Sequence, residues 1–438
     1  ESCPRTKLQN EEGRYMASLI CVGAFLALFF LGVPIVLSMY APAIVYFLTS
    51  GFPLEIIGTK ALYSLSSYTL VACPLFILVG EMMGSVGVAR RIFDIADKLV
   101  GWIPGGLAQV NIVASLIFAG MSGSALADVG GLGKIEMDAM DEKGFPPAFS
   151  GAVTVASSTL GPIFPPSIPM LLFAAVASAS PVKCLIAGMV PAIICAALMM
   201  ILTAFIALRR NFPRRTEKMS FHEFVESLRG SVLALLIPVI LIVGMLTGVF
   251  TPTELSAFSC LMVIIVSILY GDFSLESMKG SVVAAIDTIA SILMIFPAAS
   301  LYTLVLTWNR TPEMFANFML GISENLYSIL LLVNIMLLIV GMFMGNTEAI
   351  LLLVPILAPL LTGMGMDIVQ IAIMVVFNLM IGLITPPFAM SLYLGADVAG
   401  VSVKALLIEI LPYFIPLIVT LLIITYCPPV ALWIPNML

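Results

Sequence analysis

Gly161-Pro-Ile-Phe-Pro-Pro166 and Gly382-Leu-Ile-Thr-Pro-Pro387 decide how this 438-residue chain folds. Each sits in an apolar stretch and sets two prolines side by side. A proline has no backbone N–H, and its ring clashes with the preceding turn, so a regular helix is interrupted at each pair. Each pair also follows an earlier interruption. Gly120-Met-Ser-Gly-Ser-Ala125 precedes the first pair, and Gly341-Met-Phe-Met-Gly-Asn-Thr347 precedes the second. The spacing from Gly123 to Pro165 nearly equals that from Gly345 to Pro386. The spacing from Pro165 to Pro191 equals that from Pro386 to Pro412. Three landmarks thus recur at an offset of about 221 residues, which reads as a duplicated unit. Its copies are expected over 68–208 and 287–427, either parallel or inverted.

The surrounding composition fixes the solvent. Hydrophobic residues make up 61% and charged residues 10%, with a mean hydropathy of +1.15. Such a chain cannot cover itself with polar surface. The apolar runs do not alternate as barrel strands do. The expected fold is therefore an all-α polytopic membrane protein, with room for roughly 10 to 12 crossings. With 19 Lys+Arg against 25 Asp+Glu and a net charge of -6, nucleic acid is not an expected partner. One histidine, His222, and seven cysteines without a CxxC argue against zinc or iron–sulfur chemistry.

Outside the repeat, residues 1–15 read as a polar tail or a connector from a fused partner. Residues 16–67 and 229–286 read as further membrane helices, and 428–438 as an uncharged C-terminal tail. The basic segment 209–228 reads as a cytoplasmic loop, because Lys and Arg gather on that side. An inverted second copy would leave the C-terminus outside, in keeping with its lack of positive charge. Inverted repeats with interrupted helices meeting at mid-membrane are a transporter architecture.

In lipid, backbone groups freed by a break need partners. Carbonyls and hydroxyls there suit Na+, and free amides suit an anion. A packed kink at the prolines, and simple close packing at Ser122–Ser124, are the alternatives for those residues. Intramembrane carboxylates mark function or paired support. Asp128 and Glu348 follow the two short interruptions and read as support for them or as cation-attracting groups. Glu81 and Asp287 read as interfacial. Lys134 and Arg310 are candidate counter-charges for an anion, with a plain loop position as the equal alternative for each. Gly130-Gly-Leu-Gly-Lys134 lacks the Ser or Thr of a phosphate-binding loop, so ATP does not power this chain by itself. No nucleophile–base set suggests an enzyme. An ion-coupled anion carrier and, less well, a channel share these features.

Asn111, Ser122-Gly-Ser-Ala-Leu-Ala-Asp128, Thr154-Val-Ala-Ser-Ser-Thr-Leu-Gly-Pro-Ile-Phe-Pro-Pro-Ser167 and Gly382-Leu-Ile-Thr-Pro-Pro387 together resemble the large membrane subunit of tripartite ATP-independent periplasmic (TRAP) transporters, of the dicarboxylate and sialic acid type. The resemblance runs from about Met16 to Leu438. Phe164 stands where that family more often has Ile, and Val129-Gly-Gly131 where it has an Ala-rich stretch. It implies inverted repeats with two helical hairpins and two discontinuous helices, working as a sodium-driven elevator in a bacterial inner membrane. It implies a small four-helix membrane subunit and a periplasmic binding protein as partners, with a carboxylate as substrate and no organic cofactor. The hairpin tips would be Ser122–Ser124 and Gly345–Thr347. Substrate would meet Ser122, Gly123, Ser124, Asn346 and Thr347. Na+ would meet Ser124, Ser157, Ser158, Gly161, Gly345, Gly382 and Thr385. Pro165, Pro166, Pro386 and Pro387 would break the helices, with Asp128 and Glu348 in support.

Overall fold

The computed structural model describes residues 4–85, 87–213 and 221–438. Among them there are helices and no strand. Three helices open the chain: α1 (Pro4–Phe30), α2 (Ile35–Ser50) and α3 (Glu55–Leu65). The first copy of the repeat runs through α4 (Tyr68–Ser85), α5 (Val88–Val100), α6 (Leu107–Ser122), α7 (Ala125–Gly130), α8 (Leu132–Glu142), α9 (Pro147–Ser158), α10 (Ile168–Ala177), α11 (Pro181–Ala187) and α12 (Met189–Arg210). Between the copies lie α13 (Phe221–Leu246) and α14 (Pro252–Tyr270), and α15 (Leu275–Trp308) then runs into the second copy, whose α16 (Thr311–Ile322) stands near the repeat offset from α5. The second copy continues through α17 (Leu326–Phe343), α18 (Asn346–Gly363), α19 (Ile368–Leu383), α20 (Met390–Val398), α21 (Val403–Ile410) and α22 (Phe414–Tyr426). A short α23 (Pro428–Leu432) and a 3-10 turn close the chain.

The duplication is written in the element boundaries. Phe343, Gly363, Ile368 and Val398 all stand at the repeat offset from Ser122, Glu142, Pro147 and Ala177, and all eight begin or end a helix. Local chemistry sets these ends. Ser167, Ser180 and Ser402 turn extended and accept a hydrogen bond from a first-turn amide of the next helix, as N-caps do. Asp367 does the same for Val369 at 2.7 Å. Thr251 and Glu254 form a reciprocal capping box that opens α14.

Six described helices or helix pairs are long and apolar enough to cross a membrane, and a bent pair over 55–84 makes a seventh. This is fewer than the crossings expected from length. The breaks cut α6, α10 and α19 to 16, 10 and 16 residues, too short to cross singly. Large apolar side chains such as Leu62, Ile201, Leu269 and Met294 stay exposed on these helices, the surface that hydrocarbon would cover. The protein is a multi-pass membrane protein.

Four sequence boundaries change. The expected tail over 1–15 is, from Pro4 on, one helix with the apolar stretch behind it; residues 1–3 lie outside the described residues. Lys, Gln, Glu and Arg are good helix formers, and adding residues to an existing helix is easier than starting one. The proposed boundary at 286/287 falls inside the unbroken α15. Part of the basic loop is helix, in α12 and α13, and residues 214–220 lie outside the described residues. The C-terminal tail is ordered into α23 and its turn, with Ala431 and Pro435 buried.

Candidate substrate and ion site

The first short interruption forms because Gly123 turns left-handed, with φ 60°. A Cβ at that glycine would lie 2.5 Å from the Pro166 carbonyl oxygen, so the joint between α6 and α7 sits directly on the first Pro–Pro break. Ser124 then extends, and its Oγ accepts from the Ala127 amide at 3.4 Å. A Cβ on Gly161 would come 3.3 Å from the Ser124 carbonyl. Tip and break are therefore one junction. The break itself is a run of turns: Gly161 N donates to Ser158 O at 3.0 Å and Phe164 N to Leu160 O at 2.9 Å. Ser167 Oγ donates to Pro162 O and caps α10.

The second copy repeats this with different contacts. α17 ends at Phe343, Met344 and Gly345 extend, and α18 starts at Asn346. The Glu348 carboxylate folds back against Gly345, where a Cβ would collide with it. Phe388 N donates to Met342 O at 3.0 Å, tying the second break to the arm of its tip. Gly341 and Gly382 cross backbone to backbone, since a Cβ on Gly382 would come 2.5 Å from the Gly341 Cα and carbonyl carbon. Both Pro–Pro bonds, 165–166 and 386–387, are cis.

The two tips line one cavity of about 410 Å³, a volume suited to a small organic ligand. Ser122, Gly123, Ser124, Asn346 and Thr347, the five predicted substrate contacts, all border it. Pro162, Ile168 and Pro169 from the first break close one side, and Leu383 and Met390 from the second close another. α4 adds Gly80 and Glu81, and α15 adds Thr288.

The predicted ion ligands separate into two groups. Ser124 and Gly345 border the cavity, and Gly161 backs Ser124. Gly382 immediately precedes Leu383 of the cavity wall. The other hydroxyls are already engaged. Ser157 Oγ donates to Asn111 Oδ1 at 2.8 Å and lies 3.0 Å from Ser115 Oγ. Ser158 Oγ donates to Val155 O at 2.9 Å, and Thr385 Oγ1 to Ile381 O at 2.6 Å. Hydroxyls on helices often bond back to the preceding turn in this way. Of the predicted prolines, Pro165 and Pro166 are buried, Pro386 is half-buried and Pro387 is exposed.

The carboxylates also differ from expectation. Glu81 is half-buried in α4 and borders the cavity. Glu348 borders it too. Asp128 does not hold the tip by accepting backbone hydrogen bonds, because both its oxygens are buried without a hydrogen-bond partner. Glu136, on the next helix, is in the same condition. Asp287, Lys134 and Arg310 are exposed and stand outside the cavity lining.

Two buried clamps each tie one copy together internally; the residues of the first stood among the quoted motifs, and those of the second escaped the motif reading. In the first copy, Asn111 Nδ2 donates to Thr154 Oγ1 at 2.6 Å while its Oδ1 receives Ser157. In the second, Asn378 Nδ2 donates to Asn334 Oδ1 at 2.8 Å and to Asn334 O at 3.0 Å, and Asn334 Nδ2 reaches Thr425 Oγ1 at 3.1 Å. Each clamp joins the arm before a tip to the helix before a break. Asn378 stands at the repeat offset from Ser157, so that offset was the signal for it.

Paired tips facing paired breaks around one cavity, inside apolar helices, are the architecture of a membrane transporter. The DctM component of tripartite ATP-independent periplasmic transporters matches over residues 22–430, and the chain belongs to that family. It is 35% identical over 415 residues to the sialic acid TRAP transporter large permease protein SiaM of Vibrio cholerae, covering 94% of this chain and 97% of that one. It is 36% identical over 372 residues to the C4-dicarboxylate TRAP transporter large permease protein DctM of Pseudomonas aeruginosa, covering 85% and 87%. The YdaH transporter of Alcanivorax borkumensis shares the fold, with a TM-score of 0.61 at 13% identity over 88% of this chain and 89% of that one.

Proposed function

We propose that this chain carries an organic acid across the bacterial inner membrane by sodium-coupled uptake, working with a small four-helix membrane subunit and a periplasmic binding protein. The observation that carries this reading is the single cavity bordered by both tips. Substrate seated there touches Ser122–Ser124 from one copy and Asn346–Thr347 from the other. Its carboxylate meets amides and hydroxyls at the tips. Sodium binds the carbonyls and free hydroxyls where tip and break meet, around Ser124 and Gly161 in the first copy and Gly345 and Gly382 in the second. Ion binding satisfies backbone groups freed by the prolines, and the substrate then completes an ordered site. The loaded repeat units move as a body past the remaining helices, in the manner of an elevator. Sialic acid and C4-dicarboxylates, named for the relatives, are the substrates to test first.

Uptake into proteoliposomes tests this, with the chain, its small subunit, the cognate binding protein and an inward sodium gradient, each omitted in turn. Uptake that requires sodium and the binding protein supports the full reading. Uptake needing sodium alone makes the chain an independent carrier. Uptake indifferent to sodium removes the coupling role of the breaks.

A further inference from the structure

A cavity for an acid would ordinarily offer a cationic side chain. Among its described lining residues there is no Lys, Arg or His, and there are two carboxylates, Glu81 and Glu348. The two are not equivalent. Glu348 lies in the first turn of α18 and folds back on Gly345, where its charge complements the helix N-terminus. Glu81 sits within α4. Its backbone carbonyl accepts from Ser281 Oγ at 3.2 Å, but no donor among the described residues meets its carboxylate. Gly80 beside it touches the first tip: a Cβ there would come 3.1 Å from the Ser122 carbonyl oxygen. The Ser122 hydroxyl is buried and also lacks a partner. A free carboxylate and a free hydroxyl thus border the same cavity.

Building on the proposed acid-binding cavity, we infer that Glu81 is a specificity-determining residue. Its carboxylate accepts hydrogen bonds from hydroxyl or ammonium groups on the body of the acid, and it opposes a second negative charge there. The preferred substrate is then a monocarboxylate rich in hydrogen-bond donors. A bare dicarboxylate leaves Glu81 without a donor and adds like-charge repulsion. A hydrogen bond to a charged acceptor changes affinity by about tenfold or more.

The test is ligand-induced thermal stabilisation of the purified chain with its small subunit, in sodium and without the binding protein, so that the binding protein's own selectivity does not enter. The probes are N-acetylneuraminate, gluconate and succinate. The inference expects the two hydroxylated monocarboxylates to act at concentrations about tenfold below succinate. It expects Glu81→Gln to shift their half-maximal concentration up by about fivefold or more while that of succinate stays or falls. Succinate acting as well as the hydroxylated acids on the unaltered protein overturns it, whether or not the variant folds. So does a Glu81→Gln protein that stays folded in sodium and keeps the original gap of about tenfold between the hydroxylated acids and succinate. If no acid stabilises the protein in sodium, the cavity reading itself fails, and this inference falls with it.

Discussion

Gly382 has no room for a side chain. A Cβ there meets backbone atoms of Gly341 at 2.5 Å, and backbone cannot swing away as a flexible side chain can. Gly382→Ala should therefore destabilise the protein by roughly 1–3 kcal/mol through overpacking, read as a lower unfolding midpoint of the purified protein. An unchanged midpoint would mean that α17 and α19 part freely at this crossing. Ser124 acts differently, since its hydroxyl caps α7 and borders the cavity. Ser124→Ala should cost about 1 kcal/mol of stability and raise the sodium concentration for half-maximal uptake several-fold. A normal sodium response with the expected small loss of stability would leave Ser124 as a cap and nothing more. At this scale the sequence was only half informative. The small residues at the tips were legible because they interrupt apolar runs. The direction of each hydroxyl was not: Ser157, Ser158 and Thr385 sit beside the breaks, yet they bond to neighbours in the helices. The place of Glu81 at the cavity was not legible either, because hydropathy cannot tell a helix face that lines a cavity from one that does not.

Among the elements, the constant offset between the two copies was the most legible property. Prolines and glycines cannot be accommodated silently in a helix, so they preserve the register of a duplication even when the surrounding apolar residues drift. α15 marks the limit of that logic. It runs 34 residues with Pro297 inside it, because neighbouring helices can absorb the freed carbonyl and an apolar run carries no signal of where one unit gives way to the next. The first tip is followed by two helices broken at Gly131, while the second is followed by the single α18, so the copies have diverged in detail. What holds each arm to its broken partner is a buried polar clamp. Asn378→Ala removes two hydrogen bonds to Asn334 and strands a buried acceptor. The expected loss is roughly 1–3 kcal/mol, measured by the unfolding midpoint. The same change at an exposed position such as Asn325 should lose no more than the local cap to Tyr327. Equal losses at both positions would show that the clamp adds nothing beyond a local bond.

For the whole molecule, the sequence predicted a helical membrane protein and a duplicated core, and both follow from hydropathy and proline spacing. Movement is a separate matter, and α6 gives a way to test it. Its Gly120 packs against Pro238 of α13, with a built Cβ 3.1 Å from the proline Cβ. If the repeat units slide past the intervening helices, this contact must break in every cycle. A Gly120→Cys, Pro238→Cys pair, in a background lacking the native cysteines, is close to the Cβ separation a disulfide requires. Oxidation should cut sodium-dependent uptake at least tenfold, and reduction should restore it. A control pair, Gly151→Cys with Ala399→Cys, joins the two broken regions, where the built Cβ also lies 3.1 Å from its partner. Oxidising that pair should leave uptake intact, because both residues travel together. Uptake that survives the verified 120–238 cross-link would remove the elevator and leave local gating at the tips. Loss of uptake with both cross-links would mean that the broken regions move against each other, and the body that slides would have to be redrawn.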